Sequence, residues 1–450
     1  MNPTSPIITP VTRRSFIRHT SAGVAGGALL GALAPERFAH AASGTDELKI
    51  ALVGCGGRGS GAANQALSTY AQGPVKLVAM ADVHEDNLNN SLKNLQNQHG
   101  ARVDVPKERQ FVGFDGYKQA IDTADVVILS TPPGFRPMQF EAAVKAGKHV
   151  FTEKPVATDA AGVRQFLAAA EEAKKKNLRV GVGLQRHHQA GYIETVKRLH
   201  EGAIGDITSM RCYWNGSRPW QKKRVDLEKQ RGRKLTEMEY QMQNWYYFTW
   251  ICGDHIVEQH IHNIDVINWV KKGHPVRARA MGGREITNSP DDGEIYDHFA
   301  CQFEYEDGSI CYSECRHQPN VWNSVSEHVV GTKGRSDVSG NRIMAAEQWR
   351  YKAPEGQPNK DPYQQEHDDL FAAIRGNKEF NEAVYGAEST MTAILGRMAA
   401  YSGKELDWTA ALNSKIELIP KNLSWDADPG PKPGADGFYP KAVPGKTNVI

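Results

Sequence analysis

Three groups of residues have types and spacing suited to chemistry. The first is Gly54-Cys55-Gly56-Gly57-Arg58-Gly59, a G-x-G-x-x-G run directly behind the apolar stretch Leu48–Val53. Glycines at these steps allow a tight turn at Gly54, close approach of a pyrophosphate at Gly56 and close helix packing at Gly59. The pyrophosphate then meets free N–H groups at the positive end of a helix. Asp82 follows Gly59 by 23 residues and closes the next apolar run, from Val75. A ribose-binding carboxylate belongs there. The second group is Glu153-Lys154-Pro155. A lysine at a strand end faces the ligand crevice of a parallel sheet. Desolvation and neighbouring charge then fit it for acid–base work. The third group is Glu258, His262 and Asp265, spaced i, i+4, i+7 and hence on one face of a helix. A carboxylate one turn from a histidine sets its tautomer and basicity, which suits removal of a hydroxyl proton. His255, Glu258 and His262 share a side that would also suit a metal. No H-E-x-x-H occurs, however, and no metal is expected.

These groups need elements to position them. From residue 46 to about 155, strand-like and helix-like segments alternate, which implies a parallel sheet covered by helices. Val126–Thr131 is a continuous apolar strand ending in Pro132-Pro133-Gly134. Lys148–Thr152 is a short strand, Ala160–Asn177 a helix, and Val180–Leu184 a strand that closes the first domain. Beyond Gly205 the texture changes. Ile207–Trp214 alternates like a half-exposed strand, and Ile256–Val270 reads as one helix. Phe299–Tyr305 and Ser309–Cys315 read as a hairpin turning at Glu306-Asp307-Gly308. The expected fold is therefore an α/β Rossmann domain over residues 46–184 and an α+β domain over 185–360. The second domain has an open-faced, mainly antiparallel sheet. Closing helices follow over 361–410 and a tail over 411–450. Residues 215–245, polar and charged with Trp220 and Trp245 at the margins, read as an insertion over a site or interface. The Pro/Gly-rich tail from Asp426 reads as an arm lying on another subunit.

The remaining composition narrows the partners. Residues 1–42 read as a leader: Thr12-Arg13-Arg14-Ser15-Phe16-Ile17-Arg18 is a twin-arginine pattern, and Ala39-His40-Ala41 offers a cleavage site. The apolar run between them is short and broken by glycines, so stable membrane insertion is not expected. Export to the periplasm by this route suits a protein that leaves already folded around its cofactor. A formal charge of +2 without a basic stripe argues against nucleic acid. Six cysteines lack C-x-x-C spacing, so buried free thiols are the default, with pairing among Cys301, Cys311 and Cys315 the alternative.

Together these motifs resemble the glucose–fructose oxidoreductase/inositol dehydrogenase (Gfo/Idh/MocA) family. The resemblance rests on Gly54–Gly59, Asp82, Thr131-Pro132, Glu153-Lys154-Pro155 and the segment from Glu258 to Asp265. It implies that Gly54, Gly56, Gly57, Arg58, Gly59, Asp82, Thr131, Pro132, Glu153 and Lys154 bind the cofactor. It places Lys154 between nicotinamide and substrate, makes His262 the acid/base with Glu258 assisting, and has Asp265 hold a sugar. Gln185 and Arg186 would line the site at the domain junction, and the open sheet face would form a homo-oligomer. Asp82 favours NAD by repelling a 2′-phosphate, while Arg58, close in sequence, keeps NADP open. Three departures bear on the substrate: Glu258 replaces a usual aspartate, His260 a smaller residue, and Arg136 a usual histidine. The implied activity is hydride transfer from a sugar, glycoside or polyol hydroxyl. The alternative is redox-neutral glycoside cleavage through transient sugar oxidation.

Overall fold

The computed structural model describes residues 46–450 apart from residues 287 and 357. The expected leader, residues 1–42, lies outside the described residues. Strands β1 (Leu48–Val53), β2 (Val75–Asp82), β3 (Gln110–Val112), β4 (Val126–Leu129), β5 (His149–Thr152) and β6 (Val180–Val182) form one sheet in the order β3-β2-β1-β4-β5-β6. Every pairing in it is parallel. The apolar runs Ile50–Val53 and Val126–Leu129 are buried along their whole length, as strands covered by helices on both faces must be. Chain order reverses between β1 and β4, and that switch point opens a crevice at the carboxyl ends of the strands.

The glycine turn is dictated by close backbone packing. Gly54 has φ +92, and a Cβ there would lie 2.5 Å from the Ser130 carbonyl carbon. A Cβ on Gly59 would lie 1.9 Å from the Gly54 carbonyl oxygen. Helix Gly57–Ser68 starts directly behind this turn.

The second sheet has nine strands: β7 (Ile207–Gly216), β8 (Arg277–Gly283), β9 (His298–Glu304), β10 (Ile310–His317), β11 (Ser324–Gly331), β12 (Gly334–Asp337), β13 (Arg342–Ala345), β14 (Gln348–Arg350) and β15 (Leu406–Asp407). Their order is β14-β13-β12-β11-β7-β10-β9-β8-β15. The expected hairpin is β9–β10, closed by Gly308 at φ +80. All pairs are antiparallel except β7 with β10. Along β10, Cys311, Ser313, Cys315 and His317 point into the core while Tyr312 and Glu314 are exposed, the alternation of a sheet with one open face. All six cysteines are buried free thiols, with Cys212 and Cys311 Sγ atoms 3.8 Å apart.

Helix Pro362–Arg375 sends Leu370, Phe371 and Ile374 into the Rossmann core beside Leu48, Leu67 and Phe151. Helix Ala383–Ser402 is buried along nearly all its length, because it lies between both domains.

Two sequence expectations change and a third gains internal structure. The helix read from Ile256 to Val270 is two pieces, His255–Glu258 and Ile261–Lys271, broken at Gln259-His260. The 215–245 segment folds into helices Arg224–Arg231 and Glu237–Gln243, the latter capped reciprocally by Thr236 and Glu239. The tail lies on its own chain: Tyr439 donates to Glu237 Oε2 at 2.6 Å and accepts from Arg224 Nη2 at 2.7 Å. It has its own apolar and aromatic residues to bury. Tyr439 joins Met238, Tyr240, Met242, Phe248 and Trp250 in a core cluster separate from those of the two sheets.

Gly59→Ala is expected to cost about 1–3 kcal/mol, because backbone rather than a flexible side chain has to give way. Gly57→Ala, with nothing within 4 Å of its Cβ position, should stay within about 0.5 kcal/mol of the parent. Urea midpoints of the two variants check both.

Candidate active site

A cavity of about 600 Å³ runs along the carboxyl ends of the Rossmann strands. Gly54, Gly56, Gly57, Arg58 and Gly59 line it behind β1, Asp82 and His84 behind β2, Thr131 and Pro132 behind β4, and Glu153 and Lys154 behind β5. The second domain contributes Glu258 and His262, and the insertion adds Trp220, Lys222, Met242, Gln243 and Trp245.

The glycine turn fits a dinucleotide. No heavy atom lies within 4 Å of the Cβ positions of Gly56 and Gly57, so the main chain is bare where a pyrophosphate would arrive. Gly56, at the N-cap, has no side chain to bond the first amides of the helix, which leaves them to a ligand. Asp82 Oδ2 accepts from the Cys55 amide at 2.6 Å and Oδ1 from the His84 amide at 2.8 Å. Those two bonds fix the carboxylate at the cavity wall with lone pairs left for ribose hydroxyls. Arg58 is turned away from Asp82. Its Nε donates to Glu153 Oε1 at 2.5 Å, and its guanidinium lies 5.0 Å over the Tyr363 ring. Its charge is thereby paired with Glu153. Thr131 Oγ1 donates to Gln139 Oε1 at 2.6 Å.

At the other end, Lys154 Nζ donates to the Glu258 carbonyl at 2.5 Å and to Glu258 Oε1 at 3.2 Å. The two side chains are only 13% and 14% exposed, so water screens the pair little. The Lys154-Pro155 peptide is cis, and Arg136 Nη1 donates to the Pro155 carbonyl. His262 stands beyond Glu258, its ring 5.8 Å from that of Trp214 and its Nδ1 without a hydrogen-bond partner. Burial, then the nearby Lys154 and Arg186 cations, push its imidazole well below the ordinary histidine value. His262 is thus a neutral ring at physiological pH.

The structure does not bring every expected residue to the cavity wall. With the helix broken after Glu258, Asp265 no longer shares one face with it. Its carboxylate instead accepts from Ser389 Oγ at 2.8 Å and bonds His187 Nε2 at 2.9 Å. Asp265 is buried and stands behind the cavity wall rather than on it, a correction to its expected place beside the sugar. Gln185 and Arg186 stand behind the wall. Gln185 Nε2 donates to the Tyr363 hydroxyl at 3.2 Å, and Arg186 Nη1 pairs with fully buried Glu327 at 2.6 Å. A buried guanidinium needs such a carboxylate. His255 turns onto Asp254 and stacks on His317, away from Glu258. Among the described residues no group of His, Cys, Asp and Glu is arranged to hold a metal. His187, stacked between Trp269 and Tyr385, was not singled out from sequence, because its partners come from distant helices.

Two family models match this chain. Residues 48–183 match the oxidoreductase family with NAD-binding Rossmann fold, and residues 192–336 match the GFO/IDH/MocA C-terminal domain. The chain belongs to the Gfo/Idh/MocA family. Its dinucleotide site is accordingly an NAD site. Among similar Gfo/Idh/MocA proteins is an inositol 2-dehydrogenase/D-chiro-inositol 3-dehydrogenase of Halalkalibacterium halodurans, 30% identical over 30% of this chain and 36% of that one. A glycosyl hydrolase family 109 protein of Shewanella baltica is 26% identical over 45% of this chain and 40% of its own length. The chain thus spans less than half the length of either relative. The aldose-aldose oxidoreductase of Caulobacter crescentus superposes with a TM-score of 0.62 at 19% identity, over 80% of this chain and all of that one. That likeness establishes the Gfo/Idh/MocA fold. Among the described residues no helix is long and apolar enough to cross a membrane.

The His262 ring is expected to stay neutral below pH 6.5, with its protonation midpoint moving upward in Lys154→Met, where a neighbouring cation is gone. Imidazole ¹⁵N shifts followed across a pH titration measure both.

Proposed function

We propose that this protein oxidises or reduces a hydroxyl-bearing carbon of a sugar, glycoside or polyol, with NAD retained in the cavity. The observation that carries this reading is the convergence of Lys154, Glu258 and neutral His262 at the end of the cavity opposite Asp82. When bound, NAD supplies the hydride acceptor.

The chain's own residues handle the proton. An ammonium has three donors, and Glu258 takes two from Lys154. The third is left for the substrate hydroxyl, where it stabilises the negative charge that grows as the proton leaves. His262 accepts that proton as general base. Glu258 keeps the ammonium in place, and its carboxylate balances the charge where both side chains are largely buried. Trp220 and Trp245, edge to face at 5.7 Å, offer an apolar wall for the face of a sugar ring. The twin-arginine segment supports export of the folded, loaded protein to the periplasm.

The Shewanella baltica relative, named a glycosyl hydrolase family 109 protein, supports a second reading: redox-neutral glycoside cleavage with the hydride returned. A panel of polyols, aldoses and aryl glycosides separates the two. Accumulating NADH, or a reduced second sugar, supports the oxidoreductase; aglycone release without net NADH supports cleavage. In either case Lys154→Met is expected to lower kcat by about 10²–10⁴-fold while NAD still binds, and an unchanged kcat would refute the role given to Lys154.

A further inference from the structure

The roof over the Asp82 end of the cavity is built from segments far apart in the chain. Lys222 and Gln243 of the insertion line the cavity together with His84, two residues past Asp82. Lys222 Nζ donates to Gln243 Oε1 at 2.7 Å, and Gln243 Nε2 lies 3.3 Å from His84 Nδ1. Trp425 of the tail packs against the same His84 ring at 5.4 Å and against Phe114 at 4.9 Å. The Trp425 carbonyl in turn accepts from Thr236 Oγ1 at 2.6 Å. Thr236 caps the helix that runs to Gln243. The contacts therefore close a circuit from His84 through Gln243, its helix, Thr236 and Trp425 back to His84.

This circuit is rooted in packed core. The helix buries Met238, Tyr240 and Met242 in the third apolar cluster, and Val83, Phe114 and Trp425 pack on the margin of that cluster. A surface loop opens in nanoseconds to microseconds. A segment that shares a buried core opens only when that core comes apart, as a cooperative local unfolding. Asp82 marks the adenosine ribose end of a dinucleotide in such a domain, so this roof stands over the adenosine half.

We propose that Lys222 and Gln243 are further NAD-binding residues, contacting the adenosine half, and that Trp425 locks them so the cofactor stays bound between turnovers. This rests on the NAD-retaining function proposed above and assigns that retention to a device outside the Rossmann domain. It suits an enzyme that returns its hydride to a second substrate, since the reduced cofactor is reoxidised in place and need never leave.

The test is isotope exchange on the full-length holoprotein. The protein is mixed with excess deuterated NAD, desalted at intervals, denatured, and its released nucleotide weighed by mass spectrometry. Label is expected to enter over minutes or longer. Trp425→Ala should speed its entry by about tenfold or more. Thr236→Val removes a single hydroxyl and keeps the test valid should Trp425→Ala fail to fold; it should speed entry in the same direction. Exchange complete within seconds in the parent protein, or equal rates in parent and Thr236→Val, would overturn the retaining roof while leaving the oxidoreductase reading standing. A parent protein that neither carries nor takes up dinucleotide overturns both.

Discussion

The bond between Lys154 and Glu258 is the constraint from which the site follows. Lys154 lies just past strand β5 of the first domain and Glu258 belongs to the second, so their 3.2 Å contact ties the two domains together over the crevice. Neither charge is well hydrated, and a largely buried ammonium without a carboxylate would be severely destabilising. The second domain must therefore present Glu258 at the mouth of β5, and it does so by ending a short helix there. The chain then turns at Gln259-His260 and starts a new helix, which places His262 on the cavity wall. The same lysine that Glu258 neutralises also disfavours protonation of His262. One contact thus sets domain geometry, charge balance and basicity together.

Similar pairing governs the surrounding cations. Arg58 is tied to Glu153 and Arg186 to Glu327. Each pair orients a neighbour: Arg58 lies over Tyr363, and Arg186 adds to the positive field at His262. Asp82 is handled differently, held by two main-chain amides rather than by a cation. An anion fixed by neutral main-chain donors keeps lone pairs free for the hydroxyls of a ribose.

Much of this was legible in the sequence where the determinants are local. The glycine turn could be read because Gly54 and Gly59 meet each other across a few residues. Strands β1, β2, β4 and β5 could be read because double burial leaves continuous apolar runs. The break after Glu258 could not. Spacing of i, i+4, i+7 fits an unbroken helix, and nothing local shows that Asp254, at φ +73, is pinned by Tyr296 and Tyr401 from distant elements. The displaced role of Asp265 has the same origin, since His187 and Ser389 reach it from other parts of the chain. The tail was misread for a related reason. Its Pro/Gly composition carries no periodicity, and Tyr439 and Trp425 find their partners some two hundred residues away in the insertion or further still in the Rossmann loops.

The placement of Trp425 also sets an order of events at the ribosome. Translation runs from the amino to the carboxyl end, so the glycine turn, Asp82, Lys154 and the insertion all emerge before Trp425. Until then His84 and Thr236 lack the residue that joins them.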